Sequence, residues 1–356
     1  MLVLHVNDRL SARGGADLHL LAALDHLQGT GYEVALAVGE EDGSACAPCP
    51  VHVVPGLAAR DTEPTGLDEL WQRLRPDIVH LHNTMNPEVI RWAGGRSALM
   101  TIHDHRLFCP GRGKVTANHH LCTTPWSPEV CSPCFDDDVY FARIARTTSE
   151  RQAAARLLPA IVLSEYMRQE LLAVRFDPAM VHVLPAFVHD LPPQPPDGPP
   201  CVLFCGRLVA AKGIDEAIAA WRASGIDLPL VFAGTGSARN RLEKAGFEVL
   251  GWQGRTRLAA TLARARALLF PPRWQEPFGI VGLEALALGI PVVAWRSGGI
   301  EEWHPGGELL VEYGNIEALG QALRAALTMP AKSVYAAPIT PQERTARLID
   351  IYQGVA

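Results

Sequence analysis

The sequence predicts an α/β protein of two Rossmann-like domains whose parallel sheets face a central cleft. Three observations lead there. Short β-branched or Leu-rich runs alternate with longer amphipathic stretches from the first residue onward, the rhythm of βαβ units. The run Leu191-Pro-Pro-Gln-Pro-Pro-Asp-Gly-Pro-Pro200 breaks that rhythm, because proline lacks a backbone donor and fixes φ, and the alternation restarts after it. A chain of 356 residues with 48% hydrophobic content can bury two separate cores.

Taken in order, the first domain is expected over residues 1–190, with strands at Leu2–Val6, Glu33–Val38, Val51–Val54, Asp77–His82, Ala98–His103, Ala160–Ser164 and Val181–Leu184. Helices are expected at Gly15–Leu27 and Phe141–Leu158, the latter carrying Arg143, Arg146, Arg151 and Arg156 on a face read as solvated, with a peripheral membrane contact as the alternative. A cysteine-containing insert occupies residues 109–134, and residues 191–200 form the linker. The second domain, 201–335, has strands at Cys201–Cys205, Leu230–Ala233, Glu248–Gly251, Ala267–Phe270, Pro291–Ala294 and Leu309–Val311. Its helices lie near Gly213–Ala223, Thr256–Arg266, Gly279–Leu288 and Ile316–Leu327. The segment 336–356 carries a last helical pattern, Pro341–Tyr352, that follows neither run of alternation and is expected to pack back on the first domain.

The formal charge of -6 argues against general nucleic-acid binding, which needs an excess of cations to neutralise phosphates. The N-terminus reads as a first strand rather than an export signal, and no apolar run approaches the ~20 residues a membrane span needs. The expected location is the cytoplasm. Eight cysteines then read as thiols, metal ligands or chemistry rather than as a disulfide scaffold.

The most informative segment runs from Phe270 through Glu276, Pro277, Phe278, Gly279 and Ile280 to Glu284. A strand enters a loop holding Glu276, Gly279 opens a helix, and Glu284 sits in its first turns. Both carboxylates therefore fall at the C-terminal edge of a parallel sheet, where open α/β folds bind ligands. Backbone N–H groups of Gly279 and Ile280 would face an anion at the helix start. Two glutamates alone would read as surface carboxylates flanking a helix. Arg207 and Lys212 project from the loop after Cys205, suited to neutralising a phosphate leaving group. Ala233-Gly-Thr-Gly236 and Gly251-Trp-Gln-Gly254 follow the next two strands, and each alone is only a strand-to-helix turn. In the first domain, Arg13-Gly-Gly15 opens the first helix and Thr101-Ile-His-Asp-His105 ends the fifth strand.

Taken together, these segments resemble the retaining GT-B glycosyltransferases of the "glycosyl transferases group one" family. Two glutamates separated by seven residues bracket a Pro-Phe-Gly turn, and Gly206 to Gly213 matches a Gly-Arg-Leu-x-x-x-Lys-Gly pattern. The chain departs from the family in having Pro272 where a serine is usual. The resemblance implies transfer of a sugar from a nucleotide-diphosphate donor, UDP or GDP before ADP, to an unidentified hydroxyl acceptor. Catalytic roles then fall to His103, Glu276, Arg207 and Lys212, with His103 touching the transferred sugar. Donor-binding roles fall to Gly14, Gly15, Asp104, Gly234, Trp252, Gln253, Phe278, Gly279, Ile280 and Glu284, the last holding the ribose hydroxyls. No metal is required for catalysis in this family, and a front-face displacement is expected.

Cys109, Cys122, Cys131 and Cys134 share one loop and could hold a structural Zn²⁺, with reduced thiols, a disulfide or an iron–sulfur cluster as alternatives. Cys46 and Cys49 form a separate turn, and Cys201 and Cys205 read as packing residues. Competing functions are a nucleotide-sugar 2-epimerase of the same fold, a non-catalytic sugar-nucleotide sensor, and a Rossmann oxidoreductase. The last lacks its Gly-x-Gly-x-x-Gly turn here.

Overall fold

The structure, a computed structural model, describes every residue except 60–62, 189–190, 193, 330–334 and 336. Pro193 of the expected linker, and residues 330–334 and 336 around the expected end of the second domain, lie outside that description.

The chain divides into two compact units. The first comprises Met1–Gly113, Thr123–Ala186 and Ile339–Ala356; the second comprises Lys114–Cys122 and Phe187–Pro338. The grouping of Lys114–Cys122 with the second unit departs from the expected layout, which assigned all of 1–190 to the first. Its cause is local. Val115 and Leu121 pair as an antiparallel bridge, and the Gln275 side-chain amide donates to the carbonyl oxygens of Lys114 (2.7 Å) and Cys122 (3.0 Å).

The first unit holds seven strands: β1 (Leu2–Leu10), β2 (Glu33–Glu41), β3 (Val51–Val53), β4 (Ile78–Leu81), β5 (Ala98–Ile102), β6 (Ala160–Val162) and β7 (Val181–Val183). Their order is β3-β2-β1-β4-β5-β6-β7, and every pair is parallel. The second holds β8 (Cys201–Cys205), β9 (Leu230–Ala233), β10 (Glu248–Gly251), β11 (Ala265–Phe270), β12 (Val292–Trp295) and β13 (Leu310–Val311) in the order β10-β9-β8-β11-β12-β13, again parallel. Both follow the doubly wound 3-2-1-4-5-6 pattern, so each unit is Rossmann-like. The chain reverses direction between β1 and β4 in one sheet and between β8 and β11 in the other. A crevice is expected outside the C-terminal ends at each reversal.

The inner strands are buried on both faces, which explains their near-continuous apolar runs, whereas the edge strands β3 and β10 are partly exposed. Val3, Leu4, Leu36, Val79 and Ile161 fill the first core, and Val202, Phe204, Phe232, Leu269 and Val293 the second.

Three local expectations are corrected. β1 continues to Leu10 instead of ending at Val6, because its polar tail is satisfied within the fold. Asn7 donates to the Arg9 carbonyl (2.7 Å) and accepts from the Asn83 amide, and the Asp8 carboxylate accepts from the Met85 amide (3.1 Å). The helix expected over Thr256–Arg266 spans Arg255–Arg264, since Ala265 already pairs with Cys201 in β11. In the helix Asp138–Ala155, Arg143 and Arg146 are solvated, but Arg151 is buried and its Nε donates to the Met85 carbonyl (2.6 Å).

The last helix, Pro341–Val355, starts with a capping box in which Thr340 and Glu343 satisfy each other's backbone amides. It packs within the first unit through fully buried Tyr352 and through Arg344, whose Nε donates to the Pro185 carbonyl (3.0 Å). Among the described residues, no helix is long and apolar enough to cross a membrane.

Candidate functional site

In the second unit, the chemistry gathers where β8 and β11 end side by side. Beyond β8 the chain turns through Gly206 and Arg207 into a short 3-10 turn, Ala210–Lys212, and Gly213 then caps the helix Ile214–Ser224 with φ of 79°. A side chain on Gly213 would strike the Pro271 carbonyl oxygen, so glycine lets the β8 loop lie directly against the loop leaving β11.

That approach brings Lys212 to Glu276. Lys212 Nζ lies 2.8 Å from Glu276 Oε2, and both side chains are largely buried. Trp274 Nε1 donates to the same carboxylate oxygen at 2.6 Å. The Trp274 ring also lies 4.4 Å from the Lys212 ammonium and 5.4 Å from the Arg207 guanidinium, a distance at which a cation gains from the ring's quadrupole. Burial holds the Lys212 pKa below its ordinary value, and Glu276 partly offsets that effect. The loop is pinned by Ser297 Oγ donating to the Trp274 carbonyl (3.0 Å) and Gly299 N donating to the Glu276 carbonyl (2.8 Å).

Gly279 caps the helix Ile280–Ala287 with φ of 93°, wedged against the Phe270 ring and the Glu276 side chain. Glu284 is buried within that helix, and burial pushes its carboxyl up to about 7, moderated by the Arg255 charge. It faces the Cys205 thiol closely enough to raise that group as well, after burial, to about 12.

The other residues expected here divide by what they already do. Phe278 is buried, and its carbonyl accepts from Trp303 Nε1, so its side chain belongs to the core. Gly234 spends its amide on the Gly251 carbonyl (2.8 Å), and its lack of a side chain admits the Gly206 carbonyl; this joins the ends of β8, β9 and β10. Gln253 Nε2 donates to the Leu250 carbonyl (2.8 Å) and closes its own turn. Trp252 is exposed and Ile280 half-buried, so these two side chains can meet a ligand.

In the first unit, His103 follows β5 and stands at a small cavity lined also by Met85, Asp104, Arg106 and Arg151. Asp104 caps the turn His105–Leu107 and is held by Arg106 Nε (2.6 Å); burial raises its carboxyl, but the Arg106 charge and hydrogen bonds prevail and leave it below the ordinary range. His103 Nε2 lies 3.3 Å from His82 Nδ1, and His82 Nε2 lies 3.0 Å from His5 Nδ1. Gly14 caps the first helix with extended backbone, and Gly15 opens it. Asp17 occupies that helix's first turn, paired with Arg9 at 2.9 Å, so the helix start already carries a carboxylate.

Sequence reasoning missed Trp274, His82, His5 and Asp8. Trp274 lies inside the informative segment, but its indole donor gains meaning only once Glu276 is placed. Asp8, in the polar tail of β1, has a carboxyl that burial raises to about 7 against the lowering effect of the Met85 amide.

Among the described residues, one group of three metal-ligand side chains has its ligand atoms within 4.8 Å of one another: His5, His80 and His82. Both ring nitrogens of His80 and His82, and Nδ1 of His5, are already engaged. His80 meets the Tyr352 hydroxyl and Thr101 Oγ1, both at 2.7 Å, and His82 meets His5 and His103. Among the described residues, Cys109, Cys122, Cys131 and Cys134 form no such group, and no metal step is derived through them.

Two Rossmann-like units, one with a Lys–Glu–Trp cluster at the reversal of its sheet, define a doubly wound α/β protein with its charged cluster where such folds bind ligands. Comparison with known proteins makes this specific. Residues 14–186 match the "Glycosyl transferase 4-like domain" and residues 191–340 match "Glycosyl transferases group 1". The chain belongs to the group 1 glycosyltransferases that combine these two domains. It is 34% identical over 151 residues to a glycogen synthase of Mycobacterium tuberculosis, covering 39% of this chain and 36% of that protein. It is 30% identical over 136 residues to a GDP-mannose-dependent alpha-(1-6)-phosphatidylinositol dimannoside mannosyltransferase of the same species, covering 36% of each. The chain thus matches little more than a third of the length of these relatives. In fold it is similar to WaaG, a glycosyltransferase involved in lipopolysaccharide biosynthesis (TM-score 0.68, 17% identity, 99% of this chain and 100% of that one). It is also similar to Anabaena HepE in complex with UDP (TM-score 0.66, 15% identity, 100% and 98%).

Proposed function

We propose that the protein is a retaining glycosyltransferase that moves a sugar from a nucleotide-diphosphate donor to a hydroxyl acceptor, acting in the cytoplasm without a catalytic metal. The observation that carries the reading is the Lys212–Glu276–Trp274 cluster at the reversal of the second sheet, with Glu284 buried in the adjoining helix.

In this reading, Lys212 and Arg207 stabilise charge developing on the departing phosphate, the largest electrostatic demand of the reaction. Glu276 accepts from hydroxyls of the donor sugar, held by Trp274 and Lys212, and the Glu284 carboxylate accepts from two ribose hydroxyls. Gly279 and Ile280 offer backbone amides to the phosphates, Trp252 an aromatic face to the base, and His103 contacts the transferred sugar. The acceptor oxygen attacks the anomeric carbon from the face the phosphate leaves, the carbon–oxygen bond to phosphate breaks, and the phosphate takes the acceptor's proton. Configuration is then retained. A UDP or GDP sugar is favoured, supported by the UDP complex of HepE and the GDP-mannose dependence of the mycobacterial relative.

The test is calorimetry and thermal shift of the full chain with UDP, GDP, ADP and their sugar conjugates, with Mg²⁺ or with EDTA, followed by NMR of the anomer released on slow donor hydrolysis. Binding of one nucleotide in EDTA and release of the donor's own anomer support the proposal. Inversion of the anomer, or no binding across the panel, overturns it.

A further inference from the structure

Three imidazoles of the first unit form one hydrogen-bonded chain. Its origin is legible in strand register. Parallel pairing sets His80 beside Leu99 and Leu81 beside Met100, so the same-face positions 80 and 82 meet 101 and 103. The lower rung is His80 with Thr101 at 2.7 Å, and the upper is His82 with His103 at 3.3 Å. His5, opposite His80 on β1, then bonds His82 at 3.0 Å. All three rings are nearly fully buried. The two end nitrogens, His5 Nε2 and His103 Nδ1, have no partner among the described residues.

Proton counting limits what such a chain can be. Burial lowers the pKa of His5 to about 3 and of His103 to about 4, and lowers His82 further with help from neighbouring imidazoles. Around His103, Asp104 opposes this shift, whereas Arg344 and Arg106 reinforce it. Each ring is therefore neutral near pH 7 and carries one N–H. His82 must donate through one nitrogen and accept through the other, so both bonds run in the same sense. Either the protons sit on Nδ1 of all three rings, leaving a bare His5 Nε2 and an N–H on His103 Nδ1, or they sit on Nε2 of all three, leaving an N–H on His5 Nε2 and a bare His103 Nδ1. Of the two ends only His103 lines the cavity, where a ligand oxygen can satisfy the N–H, whereas an N–H on His5 would stay buried without a partner, the costlier arrangement.

We propose that His5 and His82 are positioning residues that hold His103 as its Nδ1–H tautomer, so that the end of β5 presents a hydrogen-bond donor to an oxygen of the transferred sugar. This rests on the reading of His103 as the residue that meets the sugar. The role is distinct from that of Tyr352, which bonds His80 outside this chain.

The experiment is long-range ¹H–¹⁵N NMR of the full chain labelled at histidine, with His5, His82 and His103 assigned by substitution. Wild type is expected to show all three rings as Nδ1–H. His5→Phe removes the donor to His82 and is expected to create a second, Nε2–H population of His103 and to lower kcat for nucleotide release with little change in KM. His5→Asn, whose amide places a donor where Nδ1 stood, is expected to restore the single tautomer. A wild-type His103 carrying its proton on Nε2, or identical His103 spectra in the two variants, overturns the proposal. The wild-type spectrum decides it even if both variants fail to fold. The underlying reading is tested separately: unchanged turnover in His103→Ala would remove His103 from the reaction whatever the spectra show.

Discussion

At the scale of single residues, the second-unit cluster concentrates function in a few side chains whose roles can be separated. Lys212→Ala removes a cation near the proposed leaving group, and kcat/KM is expected to fall about 10²- to 10³-fold while the nucleotide still binds. Glu276→Ala leaves the Lys212 ammonium largely buried without its carboxylate, so it is expected to cost about 1–3 kcal/mol of stability as well as activity, read by chemical denaturation. Glu284 gives a pH signature. Its folded carboxyl titrates near 7, above the ordinary value, so the folded state holds the extra proton and stability falls as pH rises from about 4.5 to about 7. If the ionised form accepts the ribose hydroxyls, nucleotide affinity runs the other way and rises with pH through about 7. Calorimetry between pH 6 and 8 checks this, and Glu284→Gln is expected to flatten both slopes. The two glutamates were legible in the sequence because their spacing around Pro-Phe-Gly is distinctive. Trp274 was not, because an indole becomes a carboxylate's partner only through a loop conformation that no local pattern encodes. His82 and His5 were hidden for a related reason: their alignment with His103 depends on the register among β1, β4 and β5, set by pairings dozens of residues apart.

At the scale of elements, two turns decide whether the site exists. Gly213 and Gly279 hold left-handed backbone at helix starts, and each faces atoms that leave no room for a side chain. Gly279→Ala is expected to cost about 1–2 kcal/mol from backbone strain alone, and more from the contact with the Phe270 ring, with a matching loss of nucleotide binding in a thermal-shift titration. The strand runs themselves were readable, since a strand buried on both faces is spelled in β-branched and leucine residues, as in Val202–Phe204 and Val292–Val293. Ends were less so. Asn7, Asp8 and Arg9 look like a turn, yet β1 passes through them because Asn83 and Met85, far along the chain, use their side chains as acceptors. Arg151 misled in the same way: a periodic cation on a helix reads as solvated until the Met85 carbonyl is placed beside it.

At the scale of the whole molecule, the chain leaves the first unit for the second and returns, with Ile339–Ala356 completing the unit begun by Met1. Tyr352→Phe is expected to cost about 1–3 kcal/mol, because it withdraws the hydroxyl from buried His80 Nδ1. Deleting residues 339–356 is expected to destabilise the first unit while nucleotide binding to the second survives, which separate melting transitions in calorimetry would show. This return also fixes an order of events on the ribosome. The stretch Phe187–Pro338 leaves the ribosome ahead of Tyr352, so the second unit can be completed before the first receives its last helix. The second unit would therefore close first, leaving His80 and its neighbours in the first unit uncovered until residues 339–356 arrive.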